Sequence, residues 1–221
     1  MVIESTRNET VKRARALAQR KGRLEQGVHF IEGEKLVREA VVSGAQFVDA
    51  FIEDGHDLMA AVLSGSGANV YTVRRSVMES LTQTGTPQWV CATVKTPEQP
   101  IPEYYPAGLI VALDCVQDPG NLGTILRTAD AMGACGLLLG EGCADPYAPK
   151  PLRAAMGSIY HIPVWQGNLE NEVARLAAQG FTLVCGHLKG ADVLPEPGEK
   201  CVLVIGNEGN GVSDAIAAQC Q

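Results

Sequence analysis

Short apolar runs alternate along this chain with stretches whose apolar residues recur every three or four positions. Apolar-rich runs occupy 28–32, 46–52, 69–73 and 88–94, with helical periodicity between them at 34–43, 56–64 and 74–83. The rhythm repeats further on, with apolar runs at 109–113, 136–140, 181–185 and 201–205 and helical stretches at 121–132, 151–158 and 168–179. A run such as Leu109-Ile110-Val111-Ala112-Leu113 suits a strand buried on both faces, as in parallel sheets. Alternation of this kind predicts an α/β protein with a mainly parallel, helix-covered sheet in each half. Asn168 and Gly180 mark the start and stop of the last helix. Between the halves, residues 96–108 (TPEQPIPEYYPAG) hold four prolines and no periodicity, so they read as a stiff linker. The predicted division is therefore 1–95, a linker at 96–108, and 109–221.

Composition narrows the class without choosing a function. With 46% hydrophobic and 19% charged residues the chain falls among globular proteins. No apolar run reaches the length of a membrane span, and MVIESTRNETVKRARALAQR lacks the apolar core of a secretory signal, so a cytoplasmic location is expected. Seven cysteines, with no C-x-x-C pair, support neither a zinc site nor a disulfide framework. Cys115, Cys185 and Cys201 sit in or beside apolar strands, where a thiol serves as a small core residue. The four histidines form no ligand-like cluster; His161 and His187 flank predicted strands as packing or surface groups, and no metal is expected.

A net charge of −7 argues against a nucleic-acid partner, but its distribution does not. Residues 1–24 carry Arg7, Lys12, Arg13, Arg15, Arg20, Lys21 and Arg23 against Glu4 and Glu9, an excess of five. The remainder balances at 11 basic against 23 acidic groups, or −12. A basic amino-terminal helix could track phosphates, or simply be a solvated face.

Two strand ends carry candidate chemistry. After 109–113 comes a polar elbow with Asp114, Gln117, Asp118, Pro119 and Gly120, then a helix in which Asn121 is the expected N-cap. Arg127 shares a helix face with Gly123 and Thr124 and can reach past the bare glycine toward the elbow. A guanidinium there suits ligand handling, although a surface salt bridge would use the same residue. The second strand end, CVLVIGNEGNG at 201–211, places Asn207 and Glu208 in a glycine-rich turn. Gly206, Gly209 and Gly211 would permit positive φ and close approach of a ligand to exposed amides. Their spacing is neither that of a dinucleotide fold nor that of a P-loop. A loop of amides plus one carboxylate suits a hydroxylated, amine-bearing ligand, whereas a plain tight turn would need nothing more than the same glycines.

Together, NLGTILRT at 121–128 and IGNEGNG at 205–211 resemble the first two motifs of the SpoU (TrmH-like) branch of the SPOUT methyltransferases. Residues 22–95, including HFIEGEKLVREA at 29–40, are similar to the ribosomal-protein-like, RNA substrate-binding α/β domain often found ahead of that catalytic domain. The resemblance implies methyl transfer from S-adenosylmethionine to a ribose 2′-hydroxyl of structured RNA, ribosomal more than transfer. It also implies a Rossmann-like parallel sheet with a carboxyl-terminal trefoil knot, and a homodimer whose interface builds the site. Composition could not have suggested a knot, which most folds avoid.

The family's third motif, an Ile-Pro-Met strand and a Ser-Leu-Asn helix start, is expected soon after Gly211, where this sequence reads VSDAIAAQCQ. The helical pattern at 212–220 breaks off without a Gly or Pro stop, so the sequence reads as ending early, with the final knot segment absent. Residues 1–221 are accordingly expected to bind S-adenosylmethionine weakly or not at all.

Carried onto this sequence, the resemblance nominates Arg127, Asn121 and Glu208 for catalysis. It places the cofactor on the loops at 140–145 and 206–211, through Leu139, Gly140, Gly142, Ile205, Gly206, Asn207 and Gly209. Arg127 is poorly suited to be a literal general base, because a guanidinium keeps its proton above about pH 12. The expectation is that it orients the hydroxyl and its phosphate. Asn121 caps its helix or holds the loop near that hydroxyl. Glu208 braces Arg127, accepts bonds from its own loop, or is an exposed turn carboxylate. Lys150 and Arg153 flank a loop that could hold RNA phosphate, and Ser158 either approaches the site or packs as a small residue. One rival reading is a non-catalytic RNA-binding protein on the same scaffold, and another is an oxidoreductase suggested only by glycine-rich loops.

Overall fold

The computed structural model describes residues 2–82, 84–186, 190 and 198–220, which form two compact units. The first comprises the chain up to Pro97 together with Tyr147–Tyr160. Its amino-terminal part runs β1 (Val2–Ile3), α1 (Glu9–Ala16), α2 (Arg20–Gln26), β2 (Val28–Glu32), α3 (Glu34–Val42), β3 (Phe47–Glu53), α4 (Asp57–Gly65), β4 (Asn69–Val73), α5 (Arg75–Leu81) and β5 (Val90–Lys95). The sheet order is β1-β4-β3-β5-β2. β4 runs parallel to β1 and β3, but β5 is antiparallel to both β2 and β3, so this sheet is mixed rather than mainly parallel. Apolar runs record burial on both faces and say nothing of a neighbour's direction, which is why the pattern misled.

Val11, Leu17, Phe51, Val77, Met78 and Cys91 pack the centre of this unit. Arg23 is buried, with its guanidinium donating to the carbonyls of Leu17 (2.6 Å) and Ala18 (3.2 Å) just beyond α1. Expected as part of an RNA-facing basic stretch, Arg23 instead satisfies carbonyls that the end of a helix leaves open. Arg23→Met should lower stability by about 1.5–3 kcal/mol, the usual worth of hydrogen bonds to a charged group, in a urea titration. An unshifted midpoint would show that these carbonyls find other partners. His29 is also fully buried, 3.1 Å from Thr96 Oγ1 and 2.9 Å from Tyr160 Oη, with Tyr147 against its ring.

The second unit holds Glu98–Pro146 and the chain from His161 onward. It opens with β6 (Gly108–Leu113), α6 (Pro119–Ala131) and β7 (Gly136–Leu139). The chain then passes through α7 (Pro149–Ala155) and a 3₁₀ turn (Ser158–Tyr160), which pack within the first unit. It returns as β8 (Val164–Gln166), α8 (Leu169–Ala178), β9 (Thr182–Cys185), β10 (Lys200–Ile205) and α9 (Asp214–Ala217). The five strands are parallel, in the order β8-β7-β6-β10-β9. β8 has only three residues, too few to register as a periodic run. Ile110, Ala112, Leu138, Val173, Leu176, Val202 and Val204 form the core on one side of this sheet. Asn168 caps α8 by accepting from the Asn171 amide, and Gly180 follows the helix at φ +83°.

The proline-rich stretch is strapped to this unit rather than free. Tyr105 Oη donates to Glu172 (2.7 Å), the Tyr105 amide donates to Gln179 (2.9 Å), and Gln99 accepts from the Val164 amide. Prolines read as spacer chemistry hid these anchoring side chains. No helix among the described residues is long and apolar enough to cross a membrane.

Candidate functional site

β6 and β10 lie side by side in register, Leu113 opposite Ile205, although 92 positions separate them in sequence. From β6 the chain moves outward to β7 and β8, whereas β9 and β10 fill the other side. The carboxyl ends of β6 and β10 therefore form the topological switch point, where open α/β sheets bind ligands.

The elbow after β6 turns through Cys115, whose φ of 56° is rare for a residue other than glycine. It then enters α6 at Pro119. The N-cap is Asp118, whose carboxylate accepts from the amides of Gly120 (2.7 Å) and Asn121 (2.9 Å). Asn121 lies three residues past the cap, a correction that the Asp-Pro pair could have signalled, since proline favours the first helical position. Asn121 is thereby free of capping, and its side-chain amide donates to Glu208 Oε1 at 3.0 Å.

Glu208 ties the two strand ends together. Its carboxylate also accepts from the backbone amides of Asp118 (3.1 Å) and Gln117 (3.4 Å). The Asn121 bond, followed by these amide bonds, holds its pKa below the ordinary glutamate value. The contribution of a group so depressed is present above its unfolded pKa and is lost as pH falls through the lower folded value. Protection of the Gln117 and Asp118 amides from hydrogen exchange, corrected for intrinsic rates, should persist into acid below the usual glutamate range and then fail. In Glu208→Gln it should be weaker and lack that step; identical profiles would remove Glu208 as the tie.

Asn207 and Asp114 complete the junction. Asn207 Nδ2 donates to the Cys115 carbonyl (2.8 Å), holding the strained elbow, and Asp114 Oδ2 accepts from the Ser213 amide (2.7 Å). Neither role was visible in sequence, because each depends on two strands distant in the chain becoming neighbours. Arg127 sits exposed on α6, six residues past Asn121, or about 9 Å along the helix axis. Helical side chains lean toward the amino terminus, back toward the elbow. Among the described residues Arg127 has no ion pair, so Glu208 braces the elbow and not the guanidinium.

The 206–211 loop satisfies part of its own backbone. The Asn207 and Gly211 amides and carbonyls pair with each other at 2.9 Å, and Asn207 Oδ1 accepts from Gly209 (2.9 Å) and Asn210 (3.1 Å). Four of its amides, those of Asn207, Gly209, Asn210 and Gly211, are thus engaged within the loop, whereas the carbonyls of Glu208, Gly209 and Asn210 accept no hydrogen bond among the described residues. Only Gly211 takes positive φ, at +72°. Gly206 is demanded by crowding, since a Cβ there would lie 2.1 Å from the carbonyl carbon of Gly211. The neighbouring 140–145 loop is pinned to the elbow by Gly140 N to Leu113 O and Ala144 N to Val116 O, both 2.9 Å. Gly142 has φ +81° and faces Cys115 Sγ, while Leu139 is core and offers only its backbone. The Ile205 carbonyl is occupied by the Asp114 amide. A rim of carbonyls suits a ligand rich in N–H and O–H donors or carrying positive charge. An adenosine joined to an ammonium-bearing sulfonium fits that chemistry.

Of the basic residues singled out, Lys12, Lys21 and Arg13 pair with Glu9 (2.7 Å), Glu25 (3.7 Å) and Asp49 (3.8 Å). Arg7, Arg15 and Arg20 are exposed without an ion pair among the described residues. Arg153 is half-buried on α7 and lines a cavity of the first unit, whereas Lys150 is exposed on the same helix. Ser158 is buried in the same unit, so it serves packing there. His161 bonds Asp130 Oδ2 at 2.6 Å, as a surface group would, and His187 lies outside the described residues.

A parallel α/β sheet whose paired switch-point strands end in two braced loops defines a ligand-handling enzyme scaffold. Residues 108–221 match the SpoU rRNA methylase family and residues 8–92 an MRM3-like substrate binding domain. The chain belongs to the SpoU rRNA methylase family and is an RNA methyltransferase. It is 37% identical to the 23S rRNA (guanosine(2553)-2′-O)-methyltransferase RlmP of Bacillus subtilis, over 97% of this chain and 85% of that protein. An AdoMet-bound rRNA methyltransferase from Sinorhizobium meliloti superposes with a TM-score of 0.90 at 34% identity, covering 100% of this chain and 86% of that one. The SpoU methyltransferase AviRb from Streptomyces viridochromogenes gives 0.83 at 26% identity, over 97% and 86% of the respective chains.

Proposed function

We propose that this protein transfers a methyl group from S-adenosylmethionine to a ribose 2′-hydroxyl of ribosomal RNA in the cytoplasm. The observation that carries the reading is the junction of Glu208 with Gln117, Asp118 and Asn121, which joins the two motif-bearing strand ends into one rim. The AdoMet-bound relative and the 2′-O specificity in the name of the Bacillus relative support it.

In this reading the carbonyls of the 206–211 loop and the backbone of the 140–145 loop hold the cofactor, which supplies an electrophilic methyl on sulfur. Glu208 and Asn121 fix the elbow, so that α6 presents Arg127 at a set distance from that rim. Arg127, always protonated, orients the ribose hydroxyl through its adjoining phosphate, and its planar fork suits that geometry. Holding two reactants in such alignment can remove roughly 7–11 kcal/mol of barrier. The amino-terminal domain, with Arg7, Arg15 and Arg20 exposed, takes the RNA, and a knotted homodimer completes the cleft. The test is mass spectrometry of ribosomal and transfer RNA from cells lacking the protein. One ribose methylation should disappear from ribosomal RNA and return with the wild-type gene; no lost ribose methylation in either RNA would contradict the proposal.

A further inference from the structure

The first unit contains a cavity of about 210 Å³ that the methyl-transfer rim does not use. Its wall comes from three places: the Glu32-Gly33 turn with Lys35 and Leu36 of α3, the 84–88 loop, and Leu152, Arg153 and Met156 of α7 and its end. The chemistry is divided. Met156 gives exposed apolar surface over a buried floor of Leu36 and Leu152, Glu32, Thr84 and Gln88 give hydrogen-bonding groups, and Lys35 and Arg153 give positive charge. Among the described residues neither cation has a carboxylate within ion-pairing distance. Glu32 is buried and accepts from Thr84 Oγ1 at 2.5 Å, so its carboxylate is held in place at the wall. Gln88 Oε1 accepts from the Glu34 amide at 3.2 Å, which leaves its NH₂ as a donor. Met156 is held in the left-handed region, at φ 54°, a conformation costing a side-chain-bearing residue on the order of 1–3 kcal/mol and found often at ligand clamps.

We infer that this cavity holds one extruded nucleotide of the RNA, its base against Met156 and its phosphates on Lys35 and Arg153. The volume is below the range of about 300–1,000 Å³ typical of drug-sized ligands, and suits a single planar ring system. Apolar faces with a carboxylate acceptor and an amide donor at the edge are how flipped bases are gripped. Cations at the wall match phosphates that position the strand. The inference rests on RNA being the substrate; it adds a place where the strand is anchored by a base.

The test uses the protein labelled with ¹³C at its methionine methyl groups, of which there are five in the sequence. Pentacytidylate is titrated in, alongside an abasic phosphodiester pentamer of equal charge. Met156 should shift with pentacytidylate and not with the abasic strand, while Met132, exposed in the second unit, stays still. Arg153→Ala, at a half-buried position that should fold, should weaken pentacytidylate binding and lower its salt slope by about one. A silent Met156, an equal response to the abasic strand, or an unchanged salt slope would overturn the inference. None of these readouts requires methyl transfer, so they fail independently of the proposed reaction.

Discussion

Arg127→Lys is expected to cut methyl transfer on the order of 10²–10³-fold, the usual cost of removing one preorganised donor, while leaving cofactor affinity unchanged. Lysine keeps the charge but offers a point donor where the guanidinium offers a planar fork. Arg127 has no ion pair among the described residues, so its replacement breaks no brace and the fold should be unaffected. A single-turnover assay with the intact protein, paired with calorimetric cofactor titration, separates the two effects. Wild-type turnover would remove Arg127 from the chemistry. A parallel loss of cofactor binding would move it to the cofactor's site.

Gly206→Ala should be the most damaging single methyl group in the catalytic unit. The added Cβ would meet backbone atoms, Gly211 C at 2.1 Å and Val212 N at 2.2 Å, and no flexible side chain can yield there. Overpacking of this kind costs about 1–3 kcal/mol. Here it falls on the closure that pairs Asn207 with Gly211, so Glu208 should lose its reach to Asn121 and activity should fall with stability. Gly209→Ala is the control: its φ is not positive and its nearest neighbour would be Asn207 Oδ1 at 3.5 Å. Thermal unfolding of both variants should separate them clearly, and equal stability would show that the loop does not depend on this close approach.

Much of this architecture could be read along the chain, and the parts that could not share a cause. Strands such as 28–32 and 201–205 and the helix after Asn168 announce themselves through burial and capping, which are local properties. The two motif segments were likewise legible, because each is a continuous stretch at the end of an apolar run. Direction of pairing is not local, so the antiparallel β5 went unseen. The same limit hid the partners of Glu208 and the burial of Arg23 in a run of basic residues that looked uniformly exposed. Glycines in a ligand-like loop were read as room for a ligand, whereas Gly206 makes room for the chain itself. Proline content misjudged 98–106, where Gln99 and Tyr105 do the anchoring.

The most direct measurement of whether this rim works on ribose is the fate of a labelled methyl group. The intact protein is incubated with methyl-labelled S-adenosylmethionine and ribosomal RNA, and the RNA is then hydrolysed in alkali. A 2′-O-methyl group blocks cleavage of the adjoining phosphodiester, so the label should emerge in alkali-stable dinucleotides with wild-type protein and be absent with Arg127→Lys. Label recovered in mononucleotides, as base methylation would give, or no transfer by the wild type, would contradict the account.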